Sequence, residues 1–263
     1  VHLAPSPVVV RVPTVLPPSF QADLAARHRR QSDELDVVGR LADRGFPVIP
    51  PSPLVPREPV QRDGFSMTFW QFVEVLENPE PDYAHNCAAT VELHAALREY
   101  PGELPFLSSF DHAVTESLDF LDSRPDLIGP ADLDRARREW ARLEPIVGSR
   151  EGFERAFPGV QTVHGDSPPY NLVSTVRGDL HADFELVTTG PVERDLAMIG
   201  PDGEAAYDQA ASALGLPTLN RDVLAVLNAA ALIQVVACLA LVPQLPILAD
   251  GLKPALEAWR ATS

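Results

Sequence analysis

A chain of 263 residues, 45% hydrophobic and 22% charged, can bury a sizeable core, which excludes a disordered tail and a disulfide-stapled miniprotein. Its 37 acidic residues against 21 basic ones leave a formal charge of -16, which repels nucleic-acid phosphates over the whole surface. Two cysteines, Cys87 and Cys238, make neither a disulfide framework nor the paired spacing of a zinc site, so a reducing cytoplasm is expected, and the single lysine, Lys253, excludes chemistry that needs a mid-chain lysine.

The opening, Val1 to Pro5, has no basic start and Pro5 and Pro7 interrupt it, so no secretion signal is expected. The chain begins without methionine, almost directly on the strand-like run Val8-Val9-Val10-Arg11-Val12, and some native N-terminal sequence is expected to precede it. From about Phe20 to Arg44, Leu24, Leu35, Val38 and Leu41 recur at near-helical spacing, and Gly45 ends the pattern. The proline-rich segment Pro47 to Pro59 must be extended and irregular. Beyond it, Pro59 to Arg62 and Phe65 to Trp70 flank Asp63-Gly64, a pair that supplies the positive backbone angles of a tight hairpin turn.

The polar stretch Glu77 to Asp82 has the composition of a surface connection, dividing a small lobe (1–74) from a larger one (75–263). Helical spacing dominates from Tyr83 onward: Ala88 to Arg98, Phe110 to Leu121, Ala131 to Val147 and Glu204 to Leu214. An island, Gln161 to Val187, interrupts it as a loop followed by short strands at Asn171 to Ser174 and Leu180 to Phe184. Val223 to Val242 is apolar except for Asn228 and Gln234. With Asp222 as cap, Pro243 as stop and no flanking basic cluster, it is expected to be a buried core helix rather than a membrane span.

The chemistry concentrates in the island. It reads His164-Gly165-Asp166-Ser167-Pro168-Pro169-Tyr170-Asn171, then Asp183-Phe184-Glu185, then Asp195-Leu196-Ala197. An aspartate and an asparagine five residues apart in a loop, with another aspartate twelve further on, is the acid pattern of phosphoryl transfer. One carboxylate orients the acceptor's hydroxyl proton, while an amide oxygen and a second carboxylate suit magnesium held against nucleotide phosphates. Other groupings are weaker. His85, Cys87 and His94 lack a fourth ligand at metal spacing, so packing or surface roles are expected. Arg27-His28-Arg29-Arg30 reads as one charged helix face, and Ser66 and Ser167 lack the small-residue elbow of an esterase nucleophile.

On these motifs the sequence resembles the aminoglycoside phosphotransferase family, the protein-kinase-like small-molecule kinases, whose HGDxxxxN loop, D-[WF]-E segment and DLA motif read here HGDSPPYN, DFE and DLA. The likeness runs from about Val8 to the C-terminus and includes Leu93-His94-Ala95-Ala96-Leu97. It implies an α+β fold of two lobes, the smaller containing the β-structure and the larger mainly helical. It also implies a phosphotransferase that moves the terminal phosphoryl group of Mg2+-bound ATP or GTP to a small hydroxylated acceptor. By resemblance, Asp166 is the base, Asn171 and Asp183 hold Mg2+, and His164 and Asp195 brace the loop. The nucleotide base lies against the segment around Trp70, Gln71 and Phe72.

Two features depart from the family. Arg11 stands where a strand lysine is expected, with Glu34 as its helix partner, and no two glycines are separated by one residue, so no glycine-rich phosphate loop is present. A competing reading is therefore a catalytically weak, nucleotide-binding regulatory protein of the same fold. On the acceptor side Glu185, Glu193 and Asp250 are the carboxylates on offer, whereas Leu241 to Leu252 is mainly apolar. An acceptor with at most one or two positive charges is expected in preference to a polycationic aminoglycoside.

Overall fold

The computed structural model of the protein describes residues 1–17, 20, 23–77, 80–110 and 112–262. Residues 21 and 22 of the first expected helix, Asn78 and Pro79 of the connecting stretch, Asp111 and Ser263 lie outside the described residues.

Strand β1 (Val8–Arg11) and the hairpin β2 (Val60–Arg62) and β3 (Phe65–Gln71) form an antiparallel sheet of order β1-β3-β2. The hairpin turns where the sequence predicts, because Asp63 and Gly64 take φ of 51° and 80°, the left-handed pair of a two-residue turn. Alternation along β3 sends Ser66, Thr68 and Trp70 inward, and Arg11 pairs with Thr68 at the end of β1. Helix α1 (Leu24–Asp43) is capped by Asp23, whose side chain accepts from Ala26 N at 2.8 Å, and the chain leaves it through Gly45 at φ 77°. Its buried stripe of Leu35, Val38 and Leu41 packs with Leu93 and Leu97 of α2 (Tyr83–Leu97) and with Phe184 and Val187. One apolar cluster therefore ties α1 to the loop that carries Asp183.

The larger lobe is helical, as expected. Helices α3 (His112–Asp122), α4 (Pro130–Val147), α5 (Arg150–Ala156), α7 (Arg221–Ala237) and α8 (Leu248–Ala261) enclose a core that includes Phe110, Leu118, Trp140, Phe153, Ile233 and Trp259. Helix α6 (Pro201–Ala213) packs on α2 through Tyr207, Ala211, Cys87 and Val91. Burying one large apolar side chain of this kind stabilises the fold by about 1.5–3 kcal/mol. The segment Arg221–Leu241 is long and apolar enough to cross a membrane, and 56% of its most apolar 18-residue stretch is buried here. Leu227, Ala230, Ile233 and Val236 sit within the core, the placement expected of a core helix. Its cap is Asn220, not Asp222: the Asn220 side chain accepts from Asp222 N and Val223 N, which leaves Asp222 in the first turn.

Between these helices lie two small sheets, β4 (Gln161–Val163) with β7 (Thr188–Gly190), and β5 (Leu172–Thr175) with β6 (Gly178–His181). The second is the expected hairpin with both strands shifted towards the turn: β5 begins and ends one residue later than expected, and β6 begins at Gly178 instead of Leu180 and ends at His181 instead of Phe184. It stops at His181 because Asp183 adopts a left-handed conformation, φ 62°.

Candidate active site

Strand β4 delivers the chain into the loop that begins at His164, and β7 lies beside it. Gly165 has φ 83°, and a Cβ there would sit 1.8 Å from the carbonyl oxygen of Leu186, so only glycine allows this approach. The fully buried Asp195 carboxylate fixes the turn by accepting from His164 N at 2.8 Å and Gly165 N at 2.7 Å. It also accepts from His94 Nε2 at 2.9 Å, which leaves His94 Nδ1 to accept from the Tyr207 hydroxyl at 2.8 Å. Burial pushes the Tyr207 phenol up, so it stays a donor. His164 in turn donates from Nε2 to the carbonyl of Ala182 at 2.9 Å and packs against the Phe184 ring. Charge-assisted bonds to a dry carboxylate are strong, and this network sets the loop carrying Asp166 against the turn carrying Asp183.

Asp166 accepts from Ser167 N at 2.9 Å through Oδ1. Asn171 is joined to the next turn by its carbonyl, which accepts from Ala182 N at 2.9 Å, while its side-chain Nδ2 donates to Ser167 O at 3.3 Å. With Nδ2 so engaged, the amide oxygen is its remaining ligating atom. Asn171 and Asp183 together offer the hard oxygen donors that Mg2+ takes when nucleotide phosphates complete its coordination. Among the described residues no group of three or more His, Cys, Asp and Glu side chains could hold a metal by itself. The donor set fits a cation that needs the nucleotide's oxygens as well.

Arg11 occupies the centre of this region. One end of its guanidinium donates to Glu34 at 2.7 Å, and the other meets Asp183 at 2.6 Å and Glu185. The Arg11–Glu34 link expected from the sequence is thus present, but the same arginine also engages the aspartate expected to hold Mg2+. Burial opposes the charge on Arg11, yet Glu34, Glu185 and Asp183 outweigh it and hold its pKa above the ordinary value. Burial pushes Glu34 up to about 8 against the pull of Arg11, with Glu185 and Asp183 adding to the rise. A carboxyl whose native pKa lies above its ordinary 4.5 binds its proton more tightly folded than unfolded. Stability from this source is fully present below pH 4.5 and is lost as pH rises through about 8. In the absence of nucleotide and divalent metal, the melting temperature should be roughly 5 °C lower at pH 8.5 than at pH 6. Scanning calorimetry should show that dependence flattened in Glu34→Gln; equal slopes in the two proteins would refute it.

Two cavities meet at Arg11 and Glu34. The larger, about 830 Å3, lies between β1, the end of β3 and the Asp183 turn, and Trp70, Gln71 and Phe72 line it. Phe72 is stacked on His2, ring centroids 4.1 Å apart. The smaller, about 380 Å3, holds Asp166 and Glu185 and is walled by α1, α3 and α7. Arg27 and Arg30 line it as well, so part of the charged helix face borders a cavity. Two expected acceptor carboxylates are elsewhere. Glu193 is buried with its carboxylate accepting from Asn220 N at 2.7 Å, and Asp250 pairs with Lys253 on the surface, in the first turn of α8 rather than in the loop before it. Neither lines either cavity.

Two residues matter here beyond the motifs: His94, expected only to pack, holds Asp195, and Arg194 lies beside the loop's support. Arg194 adjoins the Asp-Leu-Ala motif and is only 4% exposed. Its Nε donates to Ser109 Oγ at 3.0 Å, one terminal nitrogen donates to Gln234 Oε1 at 3.3 Å, and its plane lies over the Phe110 ring. Burial lowers its pKa, against the opposing fields of Asp166 and Asp195. The only local signal was an arginine one residue before a buried aspartate.

No family model matches the sequence, and no curated protein matches it. Solved structures do. An amicoumacin kinase in complex with AMP-PNP, Ca2+ and Ami superposes with TM-score 0.60 at 12% identity, over 94% of this chain and 80% of that one. An aminoglycoside phosphotransferase in complex with GDP and kanamycin gives 0.57 at 11% identity, over 97% and 87%. A macrolide 2'-phosphotransferase gives 0.56 at 15%, over 95% and 83%. At these identities the likeness shows the fold: the two-lobed, protein-kinase-like α+β architecture of small-molecule phosphotransferases.

Proposed function

We propose that the protein is a small-molecule kinase that moves the terminal phosphoryl group of a Mg2+-bound ATP or GTP to the hydroxyl of a small acceptor. One observation carries this reading: Asp166 lines the smaller cavity, Asp183 lines the larger, and Arg11 with Glu34 lines both. A nucleotide in the larger cavity would place its phosphates at that junction, within reach of an acceptor in the smaller one. Residues 1–74 then form the nucleotide side and 75–263 the catalytic and acceptor side.

In this mechanism the acceptor oxygen attacks the terminal phosphorus while its proton passes to Asp166, and the bond from that phosphorus to the leaving oxygen of the nucleoside diphosphate breaks. Bound Mg2+, held by Asn171 and Asp183, would neutralise phosphate charge. His164 and Asp195 keep the loop in register, and Arg11 grips phosphate in place of the usual lysine. The neighbours solved in complex with AMP-PNP or GDP support nucleotide use. We place the protein in the cytoplasm, with neither nucleic acid nor membrane as partner. A second reading, a catalytically weak nucleotide-binding regulatory protein, draws on the Arg11–Asp183 pair, which ties up one oxygen of the metal aspartate.

Magnesium dependence separates the two. Removing one oxygen ligand from a hard cation should weaken nucleotide binding by about tenfold when Mg2+ is present, and barely change it when EDTA is. Titration of Asn171→Ala and Asp183→Ala with ATP and GTP, with and without Mg2+, should show that pattern. Wild type and both variants with the same magnesium response would remove the metal assignment and leave the regulatory reading.

A further inference from the structure

The smaller cavity has a floor of fixed polarity. Arginine has only donors, so the Gln234 atom facing Arg194 must be its Oε1, which leaves the amide hydrogens on Nε2 for the cavity. Ser109 accepts from Arg194 through Oγ, so its own O–H remains to donate. Ser108, in the same wall, has a buried Oγ with no hydrogen-bond partner. The carboxylates among the described lining residues are Glu34, Asp166 and Glu185. Arg11 engages Glu34 and Glu185, and Asp166 is the proposed base for the reacting hydroxyl. Arg27 and Arg30 add positive charge, and Phe20, Val114, Ala237 and Leu241 supply apolar wall.

We propose that this cavity selects a hydroxylated acceptor with an apolar body and a neutral or anionic oxygen function, and that Arg194 is the positioning residue that sets this choice by holding Ser109 and Gln234 as donors. This rests on the kinase reading for the reacting hydroxyl, but the selectivity itself is a matter of binding. An ammonium group placed on this floor would meet the donors of Gln234 and Ser109, whereas a carbonyl or carboxylate would satisfy them.

The test is calorimetric titration without nucleotide, using three alcohols built on one phenyl skeleton: 3-phenyllactate, N-acetylphenylalaninol and phenylalaninol. Wild type should bind the first two at least about tenfold more tightly than the third, the discrimination expected when buried donors are left unpaired. Gln234→Glu should turn a carboxylate to Arg194, remove the amide donors and erase most of that preference. Arg194→Lys, which cannot hold both partners, should do likewise, and if that variant fails to fold, Gln234→Glu still decides. Phenylalaninol binding as tightly as the others, no binding of any of the three at millimolar concentration, or a preference unchanged in Gln234→Glu would each overturn the proposal. Intact selectivity without phosphoryl transfer would instead refute the kinase reading alone.

Discussion

Asp166→Ala should slow phosphoryl transfer by about 10²–10⁴-fold while leaving nucleotide affinity within about twofold, because a general base acts on the acceptor proton and does not hold the phosphates. The geometry separates the two effects. Asp166 lines the smaller cavity and not the larger, and it accepts a local hydrogen bond from Ser167 N. The loop is held by Asp195 and His164, so losing the Asp166 carboxylate leaves those bonds in place. Single-turnover kinetics beside equilibrium nucleotide titration measures both quantities. A variant turning over at the wild-type rate would remove Asp166 from the chemistry, and one that had lost nucleotide binding would make its role structural.

Arg11→Ala should have the second large effect, on both stability and nucleotide use. Removing the guanidinium leaves the buried Glu34, 2% exposed, without its hydrogen-bond donor, and a buried polar group left unpaired costs about 1–3 kcal/mol. The nucleotide Michaelis constant should rise by about tenfold or more. Arg11→Lys should fall between, since an ammonium keeps the charge but cannot reach Glu34, Asp183 and Glu185 at once as the planar fork does. Denaturant titration and steady-state kinetics on the two variants give the ranking. Equal, negligible effects of alanine and lysine would return Arg11 to an ordinary strand residue.

Much of this site was legible because the signals are local. Asp63-Gly64 specifies its turn by backbone angle alone, and the spacing of Asp166, Asn171 and Asp183 follows from a loop and hairpin short enough to read directly. Arg11 and Glu34 could be paired because one directly follows the valines of an apolar strand and the other directly precedes Leu35 in the buried stripe of α1. What could not be read depends on distant segments meeting. Strands β4 and β7 are three residues each, too short for alternation to show, and α5 is a seven-residue helix. His94 was legible as packing but not as the residue that holds Asp195, a partner 101 positions away. Glu193 and Asp250 are the converse case. A carboxylate beside a loop motif says nothing about its direction, and here one is spent on the head of α7 and the other on a surface ion pair.

The central claim is phosphoryl transfer to a hydroxyl, and the direct measurement is mass spectrometry of acceptors. The wild-type protein would be incubated with Mg2+, ATP or GTP, and a panel of hydroxylated small molecules that includes neutral, anionic and ammonium-bearing members. The expected result is an acceptor that gains one phosphoryl group, with stoichiometric nucleoside diphosphate, in wild type and not in Asp166→Ala. Nucleotide binding without a phosphorylated product from any member, or equal product from wild type and Asp166→Ala, would contradict it.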